Sequence, residues 1–186
     1  MPDPSSKTAG KGAQAVVVGT HHEFQRHQDK SAERERLRAD FEKLLRKVIE
    51  EKKVRLVAEE ASDDGAVWEF LTKEDELAAG FGELFGDFKT VDAPIATIAK
   101  ELAMEYGAKH ADVDVDVRAQ EGDAESIAKR DAAITEKILS GRQDAESVLV
   151  IIGEEHRAGV SARLENAGWT VHSLHFPNED EATFVA

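Results

Sequence analysis

Two short segments of the sequence each place a histidine three residues after a glycine that ends an apolar run. The first is VVVGTHH at residues 16–22, and the second is VIIGEEH at residues 150–156. Imidazole acts as a general acid or base near neutral pH and is a common ligand of transition metals. His22 and His156 are therefore candidate site residues. The alternative for each is a structural role, in which the histidine caps a helix or hydrogen-bonds a loop.

A pair of carboxylates, Glu59 and Glu60, directly follows the apolar run Val54–Ala58. Side chains alternate along a strand, so only one of the two is expected to point into the same crevice as the histidines. The sequence does not say which. Adjacent glutamates are also common on solvated surfaces, and that interpretation stays open.

The segment HADVDVDV at residues 110–117 places Ala and Val on one face of a strand and His110 with three aspartates on the other. An exposed edge strand that carries charges against aggregation is the favoured interpretation. Repulsion among the three aspartates would be relieved by water or by a cation. His110 remains a candidate substrate-binding residue.

A charged pair interrupts the apolar stripe of a predicted helix. Ile127, Ile134 and Ile138 define the stripe, and Arg130 and Asp131 occupy the positions between them. A charge on a core-facing stripe is costly unless it is paired or reaches a polar site. Arg130 is therefore a candidate for catalysis or substrate binding, with a structural ion pair as the alternative.

The elements that must position these residues follow from hydrophobic patterning. Short apolar runs alternate with amphipathic segments, which predicts an α/β fold with a mostly parallel central sheet of about five strands flanked by helices. The predicted strands are Ala15–Val18, Val54–Ala58, Ala111–Val117, Ser147–Ile152 and Trp169–Leu174. Ligands of open parallel sheets bind beyond the carboxyl ends of the strands, where these candidates converge.

The helices are predicted from apolar residues at helical spacing and from capping residues. The predicted spans are Ser31 to Lys52, a helix capped by Asp92 that ends at Gly107, Asp123 to Gly141, and Gly159 to Ala167. We also expect helices between Ser62 and Val91. Residues 1–13 are predicted to be a disordered tail, and residues 14–186 a single α/β domain.

Composition limits the possible partners and the location. The chain has 186 residues, of which 24 are basic and 38 acidic, for a net charge of −14. Such a surface repels phosphate backbones, so no nucleic-acid partner is expected. No apolar run approaches the roughly 20 residues that cross a bilayer, so no membrane partner is expected either. The absence of cysteine fits a cytoplasmic protein. The Phe-rich segment 81–88 makes a homo-oligomer possible.

The ordered motifs resemble the TraB/TIKI superfamily, which also includes erythromycin esterase-like and ChaN-like proteins. They are GTHH at residues 19–22, EE at 59–60, RD at 130–131 and VIIGEEHRAGV at 150–160. The resemblance implies a polar site lined by His22, Glu59 or Glu60, Arg130 and His156, and a hydrolase activity that is metal-dependent in some members. The chain departs from the pattern at Asp131, where Asn is common, and at the two glutamates before His156, where small residues are usual.

These residue types suggest a definite chemistry. His22, His156 and Glu59 suit a divalent metal such as zinc, manganese or cobalt, which would activate a water molecule. Glu60, or Glu59 in its place, would accept the proton of that water, and Arg130 would stabilise an oxyanion or bind a substrate carboxylate. The expected function is hydrolysis of an ester, an amide or a peptide; a metal-free version would use a histidine as base. The alternative is a non-catalytic ligand-binding or interaction protein with the same fold and crevice.

Overall fold

The computed structural model describes residues 12–21, 25, 32–60, 97–115, 124–142 and 144–177. These residues belong to one compact unit. Its centre is a five-stranded sheet in which all paired strands are parallel and which does not close into a barrel. The predicted α/β class and the mostly parallel sheet are confirmed.

The strands are β1 (Gln14–Thr20), β2 (Leu56–Glu59), β3 (Lys109–Asp112), β4 (Ser147–Gly153) and β5 (Thr170–His175). The helices in the described part are α1 (Ala32–Lys52), α2 (Ile98–Glu105), α3 (Ala124–Gly141) and α4 (Glu154–Asn166). The spatial order of the strands is β3-β2-β4-β1-β5. The predicted edge position of the acidic third strand is therefore confirmed.

The helices cover the two faces of the sheet in pairs. Helices α1 and α2 pack on one face, where Phe41, Leu45 and Leu102 meet sheet residues such as Val57. Helices α3 and α4 pack on the other, where Ile134 and Leu164 meet Leu56 and Ala58. Since both faces are covered, the central strands are apolar along nearly their whole length, as parallel sheets require.

Helix α2 begins later than the sequence predicts. Thr97 is its N-cap, with an extended backbone and a side-chain oxygen that accepts a hydrogen bond from the Lys100 N–H. The prediction that Asp92 caps this helix was therefore wrong, because Thr97 satisfies the free N–H group instead. The predicted end is confirmed, since Gly107 has a positive φ of 66° just after the helix.

Helix α4 begins at Glu154, so the prediction that it starts near Gly159 was wrong. Two acidic residues in its first turn, Glu154 and Glu155, suit the positive end of a helix dipole. Gly159 lies inside the helix and does not begin it. A larger residue would not fit there, because an added Cβ would collide with the Asp131 carboxylate. Histidine 156 consequently lies in the first turn of α4 rather than in a loop.

Strand β3 is shorter than predicted. The Asp114 N–H binds the Asp112 carboxylate, and the Val115 N–H binds the Asp114 carboxylate. Aspartate side chains that take up nearby N–H groups compete with strand pairing, so the chain leaves the sheet after Asp112. Residues 116 and 117 of the predicted strand lie outside the described residues.

Other predictions fall on residues that the structure does not describe. They concern the tail at residues 1–11, the helices between residues 62 and 91, and the Phe-rich segment 81–88. No helix within the described ranges is long and apolar enough to cross a membrane.

Candidate functional site

The carboxyl ends of β2 and β4 are joined by the residue that follows β2. The Glu60 N–H donates to the Ile151 carbonyl at 2.8 Å, and Glu60 Oε2 accepts from the Gly153 N–H at 2.8 Å. Gly153 is both the last residue of β4 and the N-cap of α4, and it has no capping side chain of its own. The Glu60 carboxylate therefore occupies the N-terminus of α4, where the helix dipole favours negative charge.

Glu59 and Glu60 are both buried, with 0% and 1% of their surface exposed, and they lie on opposite faces of the sheet. Glu59 follows Val57 by two residues and so shares its face, against α1 and α2. Glu60 follows Ala58 by two residues and shares the face covered by α3 and α4. Two separate polar clusters result, one around each glutamate.

The Glu60 cluster consists of Glu60, Asp114, Arg130, Asp131 and His156. Arg130 Nη2 is 2.8 Å from Glu60 Oε1 and 2.7 Å from Asp114 Oδ1. Arg130 donates a hydrogen bond to Asp114. Its contact with Glu60 is an ion pair whose angles do not meet those of a hydrogen bond. Arg130 thus links β2, α3 and the segment after β3, and its side chain is partly exposed.

The His156 ring is fixed by Asp131. Asp131 Oδ1 lies 2.7 Å from His156 Nδ1, and both side chains are buried. A carboxylate only accepts hydrogen bonds, so Nδ1 carries the proton in this contact. Gly159, one turn after His156, leaves the space that the Asp131 carboxylate fills. A carboxylate on Nδ1 is the device that orients catalytic and metal-binding histidines.

The remaining ring nitrogen faces other carboxylates. His156 Nε2 is 3.4 Å from Glu155 Oε1 and 3.8 Å from Glu60 Oε1. With Nδ1 donating to Asp131, a neutral ring directs the Nε2 lone pair toward these oxygens. Lone pairs facing one another at this range repel, and the Arg130 guanidinium, 2.8 Å from Glu60 Oε1, offsets part of that repulsion.

Glu59 belongs to the Glu59 cluster, which also contains Thr97 and His110. Glu59 Oε2 accepts from the Thr97 hydroxyl at 2.5 Å and lies 2.8 Å from His110 Nε2. Glu59 Oε1 is buried and has no hydrogen-bond partner in the described part of the chain. The structure therefore brings His110 to Glu59 and brings neither residue to His156.

The two glutamates that precede His156 have different surroundings. Glu155 is exposed and faces His156 Nε2. Both carboxylate oxygens of Glu154 share the single N–H of Arg157 Nε, and Glu154 Oε2 lies 2.8 Å from His175 Nδ1. Partial burial raises the pKa of Glu154, but the hydrogen bonds of Arg157 and His175 outweigh it and lower that pKa below its ordinary value. The same hydrogen bond raises the pKa of the Arg157 guanidinium above its ordinary value.

The metal predicted from sequence can be compared with the donor atoms in place. Glu60 Oε1 is a buried oxygen without an aligned hydrogen bond, and His156 Nε2 faces it, so two suitable donors are present. No group of three or more potential ligands occurs within the described ranges. A catalytic zinc ion takes three protein ligands. His22, the predicted third ligand, lies outside the described residues.

Of the predicted site residues, Glu60, Arg130 and His156 lie together, while Glu59 and His110 lie together on the other face. Asp131, Asp114 and Thr97 were not predicted as site residues from the sequence. One sequence feature could have identified Asp131, because it interrupts an apolar stripe beside Arg130. Its contact with His156 also depends on where α4 begins, and Gly159 had suggested a later start for that helix.

No family model, curated protein or solved structure matches the chain.

Proposed function

We propose that the protein is a hydrolase of ester, amide or peptide bonds and that the Glu60 cluster is its active site. The observation that carries this proposal is the buried His156 ring, held through Nδ1 by Asp131 and directed through Nε2 toward Glu60. A positioned imidazole beside a carboxylate and a guanidinium supplies the groups that hydrolysis uses. The motif resemblance to the TraB/TIKI superfamily agrees with this proposal.

In the proposed mechanism, Asp131 keeps the proton on His156 Nδ1 and fixes the plane of the ring. His156 Nε2 is then available to a water molecule or a metal ion. Glu60 is held in place through Oε2 by the Gly153 N–H, so that Oε1 stays next to His156. Without a metal, Glu60 accepts the proton of the attacking water in the role of general base; with a metal bound, Glu60 would hold the ion instead.

Arg130 provides the positive charge of the site. Its guanidinium reaches Glu60 while its side chain remains partly exposed, so an entering substrate can contact the same group. In the proposal, Arg130 stabilises the oxyanion that develops on the substrate carbonyl, or binds a substrate carboxylate. A small molecule or peptide with a carbonyl next to a negative charge is the substrate class that fits.

A divalent metal is the proposed cofactor, with His156 and Glu60 as ligands and His22 as the third ligand that the sequence predicts. Such a metal supplies an activated water and polarises the carbonyl. Glu59 is not included among these ligands, because it lies on the other face of the sheet with Thr97 and His110.

A ligand-binding protein without catalysis is the second candidate. It is favoured by Arg130 Nε, a buried donor with no hydrogen-bond partner among the described residues, which a bound ligand would satisfy. In that case His156 variants would weaken ligand binding, and no turnover would be found with any metal.

The proposal is tested with a panel of fluorogenic esters, amides and peptides after loading with zinc, manganese or cobalt. His156→Ala is compared with wild type, and the matched control is His172→Ala, which removes an exposed histidine from β5. We expect turnover in wild type and in His172→Ala, with a loss of about 100-fold or more in His156→Ala. Equal turnover in all three proteins would place the active site elsewhere.

A further inference from the structure

The Glu59 cluster holds a histidine that the proposed mechanism does not use. His110 lies on the edge strand β3, and its register partner on β2 is Val57, two residues before Glu59. The Thr97 hydroxyl and His110 Nε2 meet on the same oxygen, Glu59 Oε2, at 2.5 and 2.8 Å. Because a carboxylate only accepts hydrogen bonds, Nε2 carries the proton in this contact. The lone pair of the neutral His110 ring is therefore on Nδ1.

The Nδ1 atom of His110 is open to solvent. It has no hydrogen-bond partner among the described residues, and it is not one of their buried unpaired side-chain atoms. The His110 side chain is 17% exposed, whereas the Glu59 side chain is fully buried. The ring is thus held at its inner edge by a buried carboxylate and presents its outer nitrogen to solvent. A carboxylate on one ring nitrogen orients a histidine that reacts through the other.

The Glu59 carboxylate has one further feature that points beyond a structural role. Its Oε1 atom is buried without a partner, and no lysine or arginine pairs with Glu59 in the part of the chain that the structure describes. Burial of a carboxylate without a cation is unfavourable. A positive charge on the His110 ring would offset it. Such a charge develops when Nδ1 forms a bond to an electrophilic carbon, so the Glu59 carboxylate favours that step.

We propose that His110 is a nucleophile that takes an acyl group from an activated ester or anhydride at Nδ1, with Glu59 and Thr97 as positioning residues. The Nδ1 lone pair forms a bond to the carbonyl carbon, and the leaving group departs with the electron pair of its C–O bond. The positive acylimidazolium keeps its Nε2–H on Glu59.

Hydrolysis of the acyl group completes the cycle. Water attacks the acyl carbon, and the electron pair of the C–N bond returns to Nδ1. One water proton passes through solvent to the leaving group, and the carboxylic acid is released. This centre lies on the opposite face of the sheet from the Glu60 cluster and does not depend on it.

Diethyl pyrocarbonate is the probe, because it transfers an ethoxycarbonyl group to imidazole nitrogens. Peptide mapping by mass spectrometry follows the rate at each histidine of the full chain. His172 is the reference in the same molecule, since it is an exposed histidine of β5 without a carboxylate partner within the described ranges. Exposure alone predicts that His172 reacts faster. We expect the reverse, with His110 reacting faster than His172 by about tenfold.

The substitution Glu59→Gln separates activation of the ring from support of the fold. Glutamine keeps the shape and an acceptor for Nε2 but removes the charge. We expect the rate at His110 to fall about tenfold, with the rate at His172 and the circular dichroism unchanged. A purely structural Glu59 predicts a faster reaction, because a loosened His110 ring is more exposed. The matched control is Glu136→Gln, an exposed glutamate of α3, which should change neither rate.

Release of 4-nitrophenolate from 4-nitrophenyl acetate tests turnover, with His110→Asn compared with His172→Asn. The Glu60 cluster is intact in both variants, so the difference between them reports His110 alone. We expect slower release in His110→Asn only. The comparison of the two histidines in the wild-type chain needs no variant, so it decides the question even where Glu59→Gln does not fold. The proposal is overturned if His172 reacts as fast as His110 in wild type, if the rate at His110 does not fall in Glu59→Gln, or if both asparagine variants release 4-nitrophenolate equally.

Discussion

At the residue scale, the Glu154 carboxylate joins the first turn of α4 to the edge strand β5. It binds Arg157 within the helix and His175 at the end of the strand. Its pKa is lowered on folding, so it stabilises the protein above its unfolded pKa, near 4.5, and that stabilisation is lost as the pH falls through the lower folded pKa. Glu154→Gln should therefore destabilise the protein by about 1 kcal/mol at pH 7 and by much less near pH 3.

The measurement is urea unfolding of wild type and Glu154→Gln at several pH values. Glu136→Gln is the matched control, because Glu136 is an exposed glutamate of α3. Its effect should be small and should not follow the pH dependence seen for Glu154→Gln. A difference between wild type and Glu154→Gln that grows as the pH falls would contradict the assigned role of the Glu154 carboxylate.

At the scale of elements, the packing of α3 against α4 sets the geometry of the Glu60 cluster. Gly159 faces the Asp131 carboxylate at the point where the two helices meet, and an added methyl group would overlap it. Gly159→Ala should therefore move Asp131 away from His156. It should destabilise the protein by about 1–3 kcal/mol despite the better helix propensity of alanine.

Gly141→Ala is the matched control for this substitution. Gly141 ends α3, and nothing lies within 4 Å of the methyl group that the change would add. Its effect on the free energy of unfolding should range from zero to a gain of about 1 kcal/mol. Urea denaturation measures both variants, and equal effects of the two substitutions would show that Gly159 has no packing role.

The same elements show how far the sequence could lead. Hydrophobic patterning predicted α1, α3 and the strands β1, β2 and β4, because these elements bury regular sets of apolar residues. Periodicity did not predict the start of α4. There the N–H of the N-cap residue Gly153 donates to the carboxylate of Glu60, which follows another strand. That contact spans 93 positions in the chain, and no local pattern reports it. The prediction that only one of Glu59 and Glu60 points toward His156 followed from strand alternation, but the choice of Glu60 required the strand register and the helix faces.

At the scale of the whole molecule, buried polar side chains gather at one end of the sheet. The Glu60 cluster and the Glu59 cluster both lie at the carboxyl ends of the strands, on opposite faces of the sheet. Open parallel sheets commonly bind ligands at the carboxyl ends. The hydrolase proposal depends on the Glu60 cluster only.

The most direct test of the central claim compares the two adjacent glutamates in one measurement. Metal content is determined by plasma mass spectrometry for wild type, Glu59→Gln and Glu60→Gln, after loading with zinc or manganese and exchange into metal-free buffer. Both substitutions replace a buried carboxylate with a neutral amide of the same shape. The two variants differ only in the face of the sheet on which the charge is removed. We predict near-stoichiometric metal in wild type and in Glu59→Gln, and loss of metal in Glu60→Gln with the fold intact. Loss in Glu59→Gln alone, equal retention in all three proteins, or no metal in wild type would contradict the claim that Glu60 and His156 form a metal-dependent hydrolase site.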